Sequence, residues 1–257
     1  YLEREHFWLF VYALYMALKK KYEGKFWTDW DKGERLRQKR ALALAAKELS
    51  DDIDFYRFLQ FQFDRQWKKL HAYAAEQGIK IIGDIPISVA MDSADTWANP
   101  QLFQLDENNV PTAVAGCPPD GFSPDGQLWG NPIYNWKQME QDGFRWWLDR
   151  IGAVFSLYDI LRIDHFRGFA GYFTIKYGAP NAREGVWNSA PGIALFRTIA
   201  EAYPKAKIIA EDLGFITEDV RELLSDSGFP GMKMLHFAFY DEDSEYLPRT
   251  YETKNCV

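Results

Sequence analysis

Cysteine is nearly absent from this 257-residue chain: only Cys117 and Cys256 occur, far apart in sequence. Two such residues supply neither a disulfide framework nor a set of metal ligands, so no metal is expected, and a reducing, cytoplasmic setting is. Histidine is scarce too, with no pair at ligand spacing among the four. There is no dense basic block. The 30 basic residues face 37 acidic ones, for a formal net charge of -7. A phosphate-backbone footprint is therefore missing, which argues against nucleic acid as a partner. Long apolar runs are lacking as well. The longest, Phe7 to Leu18, is too short to span a bilayer, and acidic Glu3 and Glu5 precede it where a signal sequence would be basic. A membrane partner is not expected, and the run reads as a buried helix. The chain has no initiator Met and ends on an unpatterned acidic tail, so it is expected to be a piece of something longer.

The signatures of two common chemistries are missing. Gly168-Phe-Ala-Gly171 lacks the Gly-x-Gly-x-x-Gly spacing of a dinucleotide site, so no cofactor is expected. Ser88, Ser93 and Ser123 sit in no Gly-x-Ser-x-Gly elbow, which leaves a hydrolase triad nothing to build on. No internal repeat, low-complexity segment or Pro/Ser linker interrupts the chain.

What is present is apolar and aromatic. A hydrophobic content of 47% is ample for a core, and aromatics reach 17%, including ten Trp. Most of these fill the core. Trp97 and Trp129 stand in loop-like sequence, where a flat amphipathic surface would suit a ring-shaped ligand.

Along the chain, periodicity predicts helices over 7–21, 32–49 and 53–77, with Asp51 or Asp52 as the last cap and Gly78 as the stop. Residues 79–85 form a short, nearly continuous apolar run, as expected of a strand buried on both faces. Residues 86–136 show little periodicity and much Pro, Gly and Asn, which points to a long functional loop. Further helices are predicted at 138–153, 192–202 and 217–225, and further strands at 158–164, 207–213 and 231–239. Strand and helix alternate, which implies an α/β fold with a parallel sheet and helical crossovers. Residues 1–77 are expected to be a helical region, and 78–257 the strand-bearing part with its loop 86–136, in one structural unit. The expected sheet is open, in the order 79, 158, 207, 231.

The chemistry concentrates at Leu161-Arg-Ile-Asp-His-Phe-Arg167. In a strand, side chains alternate between faces, so Arg162 and Asp164 share one face while Leu161 and Ile163 pack on the other. A guanidinium beside a carboxylate keeps it ionised, which suits a nucleophile or charge stabiliser. A partly buried structural ion pair is the alternative. Three predicted strands end in acids: Asp84, Asp164 and Glu211. In a barrel such ends build one mouth. Paired carboxylates in an aromatic cleft fit glycoside chemistry, in which one acid attacks the anomeric carbon and another protonates the leaving oxygen. A divalent metal held by three acids competes, but Arg162 already offsets part of the charge. His6, His71 and His236 read as structural. His165 faces away from Asp164 if the strand continues, unless a turn brings it round.

Arg162-Ile-Asp-His-Phe-Arg-Gly168, Ala210-Glu-Asp-Leu-Gly214, Gly83-Asp-Ile-Pro-Ile87 and Gln127-Leu-Trp-Gly-Asn-Pro132 together resemble the 4-α-glucanotransferases, also called amylomaltases or disproportionating enzymes. Phe7-Trp-Leu, Tyr12-Ala-Leu and Gly231-Met-Lys-Met-Leu resemble family stretches in the same order. The resemblance implies a partial TIM (β/α)8 barrel with helical insertions, truncated at both ends, acting on α-1,4-glucans and maltooligosaccharides. By resemblance Asp164 matches the nucleophile, Glu211 the general acid/base and Arg162 the arginine supporting the nucleophile. Asp84, Asp120, Trp129 and His165 match substrate-site positions. The implied mechanism is a retaining double displacement; transfer then needs water kept from the intermediate, a role expected of the segment 116–132 by closing over the site. An α-amylase-type glucan hydrolase and a non-catalytic glucan-binding piece stay open as alternatives. The family's third carboxylate, an Asp after a His, has no counterpart: His236 is followed by Phe237, and Asp241 lacks matching neighbours. The piece alone is therefore expected to be inactive, and its open sheet edges are expected to favour self-association.

Overall fold

A computed structural model describes residues 1–121, 123–214, 216–239, 242–251 and 255–257. Its elements, in chain order, are α1 (His6–Lys21), α2 (Lys32–Arg35), α3 (Lys39–Glu48), α4 (Ser50–Glu76), β1 (Ile82–Ile85), α5 (Ala94–Ala98), β2 (Ala113–Cys117), β3 (Gln127–Pro132), α6 (Trp136–Gln141), α7 (Arg145–Phe155), β4 (Ile160–Ile163), β5 (Gly171–Lys176), β6 (Gly185–Ser189), α8 (Gly192–Ala202), β7 (Ile208–Ala210) and α9 (Glu218–Ser227). The chain is mixed α/β. It sorts into two compact units, one of 1–73, 88–135 and 174–185, the other of 74–87, 136–173 and 186–257.

In the first unit, α1 buries Leu14, Ala17 and Leu18 in a cluster with Trp27, Trp30, Ile53 and Trp97. The predicted helix over 32–49 is broken. Arg37 adopts a left-handed conformation at φ 52°, and the Gln38 N–H closes the turn on the Gly33 carbonyl at 2.9 Å. The long loop 86–136 is not structureless, because it contains α5, β2 and β3. Helix α5 starts at Ser93, whose hydroxyl accepts the Thr96 N–H at 3.3 Å. That short helix carries Trp97 into the core with no exposure at all, and the Trp97 indole N–H donates to the Glu34 carbonyl at 3.0 Å. Trp97 is thus a core residue rather than the flat ligand surface expected of it. Antiparallel β2 and β3 pair through Gly116 and Leu128 and through Cys117 and Gln127. β3 and β2 are the first two neighbours of a four-stranded sheet.

The second unit holds a three-stranded parallel sheet in the order β1-β4-β7. This is the predicted order for the first three strands. β4 alternates as expected, with Leu161 and Ile163 buried and Arg162 on the other face. β1 also alternates rather than being buried throughout. Among the described strands it is an outer one, and Ile82, with Ile79 just before the strand, is exposed. The core beneath the sheet is aromatic: the Phe166 ring stacks on Phe196 at 5.3 Å, and Phe169 meets Trp147 edge to face at 5.3 Å.

The predicted fourth strand, 231–239, does not form. Among the described residues only Gly231 makes a bridge, to Cys256, and residues Leu235–Phe239 wind into a 3-10 turn. The backbone donors that a ladder would need are already taken. The Met232 N–H goes to the Asp212 carboxylate at 2.6 Å, and the Lys233 N–H to the Val257 carbonyl at 2.8 Å. Leu235, Phe237 and Phe239 are left exposed, so the apolar alternation there marks no buried face.

Candidate active site

Register brings the predicted acids together. In the β1–β4 pairing Asp84 lies opposite Arg162, so both side chains share one face across adjacent strands. In the β4–β7 pairing Ile163 lies opposite Ala210, which sets the following residues, Asp164 and Glu211, side by side at the strand ends. The ladder continues to these ends: the Asp164 N–H donates to the Ile85 carbonyl at 3.0 Å, and the Glu211 N–H to the Ile163 carbonyl at 3.0 Å. All three acids stand at the C-terminal edge of a parallel sheet, where α/β proteins place their ligands.

Arg162 binds two of them at once. Its Nη1 donates to Asp84 Oδ1 at 2.7 Å and its Nη2 to Asp164 Oδ1 at 2.9 Å. Burial by itself would lower the arginine's pKa, but the two carboxylates outweigh it and the net shift is upward. Asp84 and Asp164 are well exposed, so these pairs add little to stability. Their consequence is orientation.

Glu211 stands in a different environment. Burial raises its carboxyl above the usual range, and the nearby Asp164 charge pushes the same way. Two backbone donors oppose the rise, the N–H of Leu213 to Oε1 at 2.9 Å and the N–H of His165 to Oε2 at 2.8 Å. The site thus holds one carboxylate paired to a guanidinium and one carboxyl biased toward its protonated form. Opposite environments of this kind divide acid from nucleophile.

The backbone of His165 turns toward Glu211. β4 ends at Ile163, and His165 takes a left-handed φ of 53°, so the strand alternation stops and its amide points at Glu211. Its imidazole is pushed down to about 4, first by burial and then by Arg167, and is neutral at neutral pH. The ring lies against Gly168, where a Cβ would come within 3.1 Å of it.

Asp120 and Trp129 belong to the first unit. Asp120 Oδ1 accepts the Ser123 N–H at 2.7 Å. Trp129 lies on β3, about a third exposed, with its indole N–H on Gln127 Oε1 at 3.0 Å. Asp241 lies outside the described residues. Among the described residues no group of three or more His, Cys, Asp and Glu could hold a metal ion, and no helix is long and apolar enough to cross a membrane. Two residues around Arg162 were given no role in the sequence. Its Nε donates to Met232 Sδ at 3.3 Å, and Asp212 holds the Met232 backbone. Both lie in stretches that resemble the family, Gly231-Met-Lys-Met-Leu and Ala210-Glu-Asp-Leu-Gly214, but nothing in either pattern pairs them with Arg162.

Comparison with known proteins places the chain among relatives. The family model described as 4-alpha-glucanotransferase matches residues 1–257. 4-alpha-glucanotransferases of Clostridium butyricum and Aquifex aeolicus are 49% and 48% identical over 259 and 255 residues, covering 100% and 99% of this chain but 53% and 52% of theirs. A solved amylomaltase from Streptococcus agalactiae in complex with acarbose superposes with a TM-score of 0.95 at 44% identity, covering 98% of this chain and 52% of that one. The chain spans about half the length of the curated relatives it matches.

Proposed function

The chain belongs to the 4-alpha-glucanotransferase family, and from that premise we propose that it carries the nucleophile and the acid/base of a retaining transfer between α-1,4-glucans. Asp164 attacks the anomeric carbon while Glu211 protonates the departing oxygen, giving a covalent glucosyl-enzyme. Glu211, now a base, takes the proton from the 4-hydroxyl of an acceptor sugar, and the second displacement restores the α configuration. Arg162 holds Asp164 in its attacking orientation. Asp84, His165, Asp120 and Trp129 contact substrate, His165 as a neutral hydrogen-bonding group. No cofactor takes part.

The observation that carries this reading is the asymmetry at the strand ends, with Asp164 on Arg162 at 2.9 Å beside a Glu211 whose pKa is raised by burial. Parallel β1, β4 and β7, each ending in an acid, support a partial TIM barrel with helical insertions. The outer strand β1, with Ile79 and Ile82 exposed, supports self-association of the chain through that edge.

Maltotriose tests the function. Transfer yields glucose together with longer glucans, whereas products no longer than the donor would replace transfer by hydrolysis. A second reading has its own observation: His236 is followed by Phe237, so the third carboxylate of the family pattern is missing from these residues. On that reading the 257-residue chain binds maltooligosaccharide without turning it over, and calorimetry beside product analysis separates the two.

A further inference from the structure

All three nitrogens of the Arg162 guanidinium are engaged, each by a different residue: Nη1 by Asp84, Nη2 by Asp164 and Nε by the Met232 sulfur at 3.3 Å. A guanidinium is a planar fork on a flexible stem, and partners on all three nitrogens fix both its position and its plane. Two of those partners are carboxylates. A third at Nε would place three negative charges around one positive. A thioether is a weak acceptor without charge, so it fills that direction and leaves the charge balance with Asp84 and Asp164.

Methionine is a poor anchor by itself, because three rotatable bonds let its sulfur wander. Here its backbone is tied down. The Met232 N–H donates to Asp212 Oδ1 at 2.6 Å, and the approach requires the preceding glycine, since a Cβ on Gly231 would come within 2.5 Å of Asp212 Oδ2. Asp212 directly follows Glu211. The contacts therefore close a circuit: Glu211 to Asp212 along the chain, Asp212 to Met232, Met232 to Arg162, Arg162 to Asp164, and back to Glu211 through the His165 amide.

We propose that Met232 is a positioning residue for the transfer reaction, its sulfur serving as the neutral third acceptor that holds the Arg162 fork against Asp164, with Asp212 as its anchor. The inference rests on the reading of Asp164 as nucleophile, but its primary test does not. That test is the solvent exchange of the Arg162 Nε–H by NMR in the wild type, Met232→Leu, Met232→Gln and Asp212→Ala. Leucine keeps the bulk without an acceptor, and glutamine restores a neutral acceptor. Expected is exchange about 2- to 10-fold faster in Met232→Leu and in Asp212→Ala, the range set by the net worth of one hydrogen bond, with protection recovered in Met232→Gln. Covalent labelling from an activated glucosyl fluoride should follow the same order, glutamine above leucine. Were Met232 mere packing, leucine would match the wild type and glutamine would be worse, and that result overturns the proposal. If the wild type takes no label while the Nε–H still responds as stated, the catalytic reading fails and the positioning of Arg162 by Met232 survives.

Discussion

The backbone amide of His165 donates to Glu211 Oε2 at 2.8 Å, so the residue next to Asp164 in sequence holds the carboxyl group on the neighbouring strand. The left-handed turn at His165 makes this possible, and it also brings the Phe166 N–H onto the Glu211 carbonyl at 3.1 Å. The relative placement of the two acids is therefore set by backbone, with no long side chain in between. A valine at 165 resists the left-handed region at a cost of roughly 1–2 kcal/mol, whereas glycine enters it freely. His165→Val should lose about that much stability in urea denaturation and raise the Glu211 carboxyl further, because a donor to its charged form is lost. His165→Gly should keep the Glu211 titration near wild type. Carbon-13 NMR of the Glu211 carboxyl reads both, and equal shifts in the two variants would show that the imidazole, rather than the turn, sets it.

Glu211 also leaves a mark on pH-dependent stability. Its pKa in the folded chain is raised, so between the unfolded value, about 4.3, and the folded one the native state holds more protons than the unfolded state. By linkage this contribution favours the fold at low pH and is lost as pH rises through the folded value. Glu211→Gln removes the titration. The stability of the variant relative to wild type should therefore improve as pH rises from about 4 to neutrality, in urea melts run across that range. A constant difference across the range would mean that the folded environment does not raise Glu211.

These two carboxyl groups were legible in the sequence because their strands are short, apolar and regularly spaced among helices, and Arg162 stands out against that background. The elements within 86–136 were harder. β3 is largely exposed and reads Gln-Leu-Trp-Gly-Asn-Pro, with little strand propensity, so its pairing with β2 left no period to detect. Trp97 misled because a five-residue helix is too short for a periodic signal; only Ser93, three residues before Thr96, hinted at its start. The fourth strand failed for the opposite reason. Gly231 to Phe239 has the apolar alternation, but Asp212 and Val257 occupy the donors that decide pairing, and partners so distant in the chain are invisible to a local pattern.

The proposed division of labour between the acids predicts different failures. Asp164→Asn should abolish covalent glucosyl labelling from a glucosyl fluoride. Glu211→Gln should still accept label, because fluoride departs with little acid help, while its turnover of unactivated glucan falls by about 10²–10⁴-fold. Mass spectrometry of the intact protein reads the adduct. Label on the Asn variant would take the nucleophile role from Asp164.

Trp97 now predicts a stability effect in place of a binding effect. It is fully buried, its indole meets Trp30 at 5.7 Å, and the Arg37 guanidinium lies over its ring at 4.2 Å. Trp97→Ala should cost about 3–5 kcal/mol in urea denaturation, as large-to-small changes of buried aromatics do. A loss of maltooligosaccharide affinity at unchanged stability would return Trp97 to the binding surface.

The residue before Asp84 is a glycine with no room for a side chain. A Cβ on Gly83 would collide with the Tyr158 ring, which lies over that point of β1, and the next residue in the strand is Asp84 itself. Alanine at 83 must displace either the tyrosine or the strand, and overpacking of this kind costs about 1–3 kcal/mol. Displacement of the strand would also lengthen the 2.7 Å contact between Asp84 and Arg162. Gly83→Ala should therefore destabilise the fold and loosen Arg162 together. The same change in a Tyr158→Ala background should recover most of the loss, giving a coupling of about 0.5–3 kcal/mol in a double-mutant cycle followed by urea denaturation. Strict additivity would mean that Tyr158 is not what excludes a side chain from position 83, and the cause of the glycine would then have to lie in the backbone of β1.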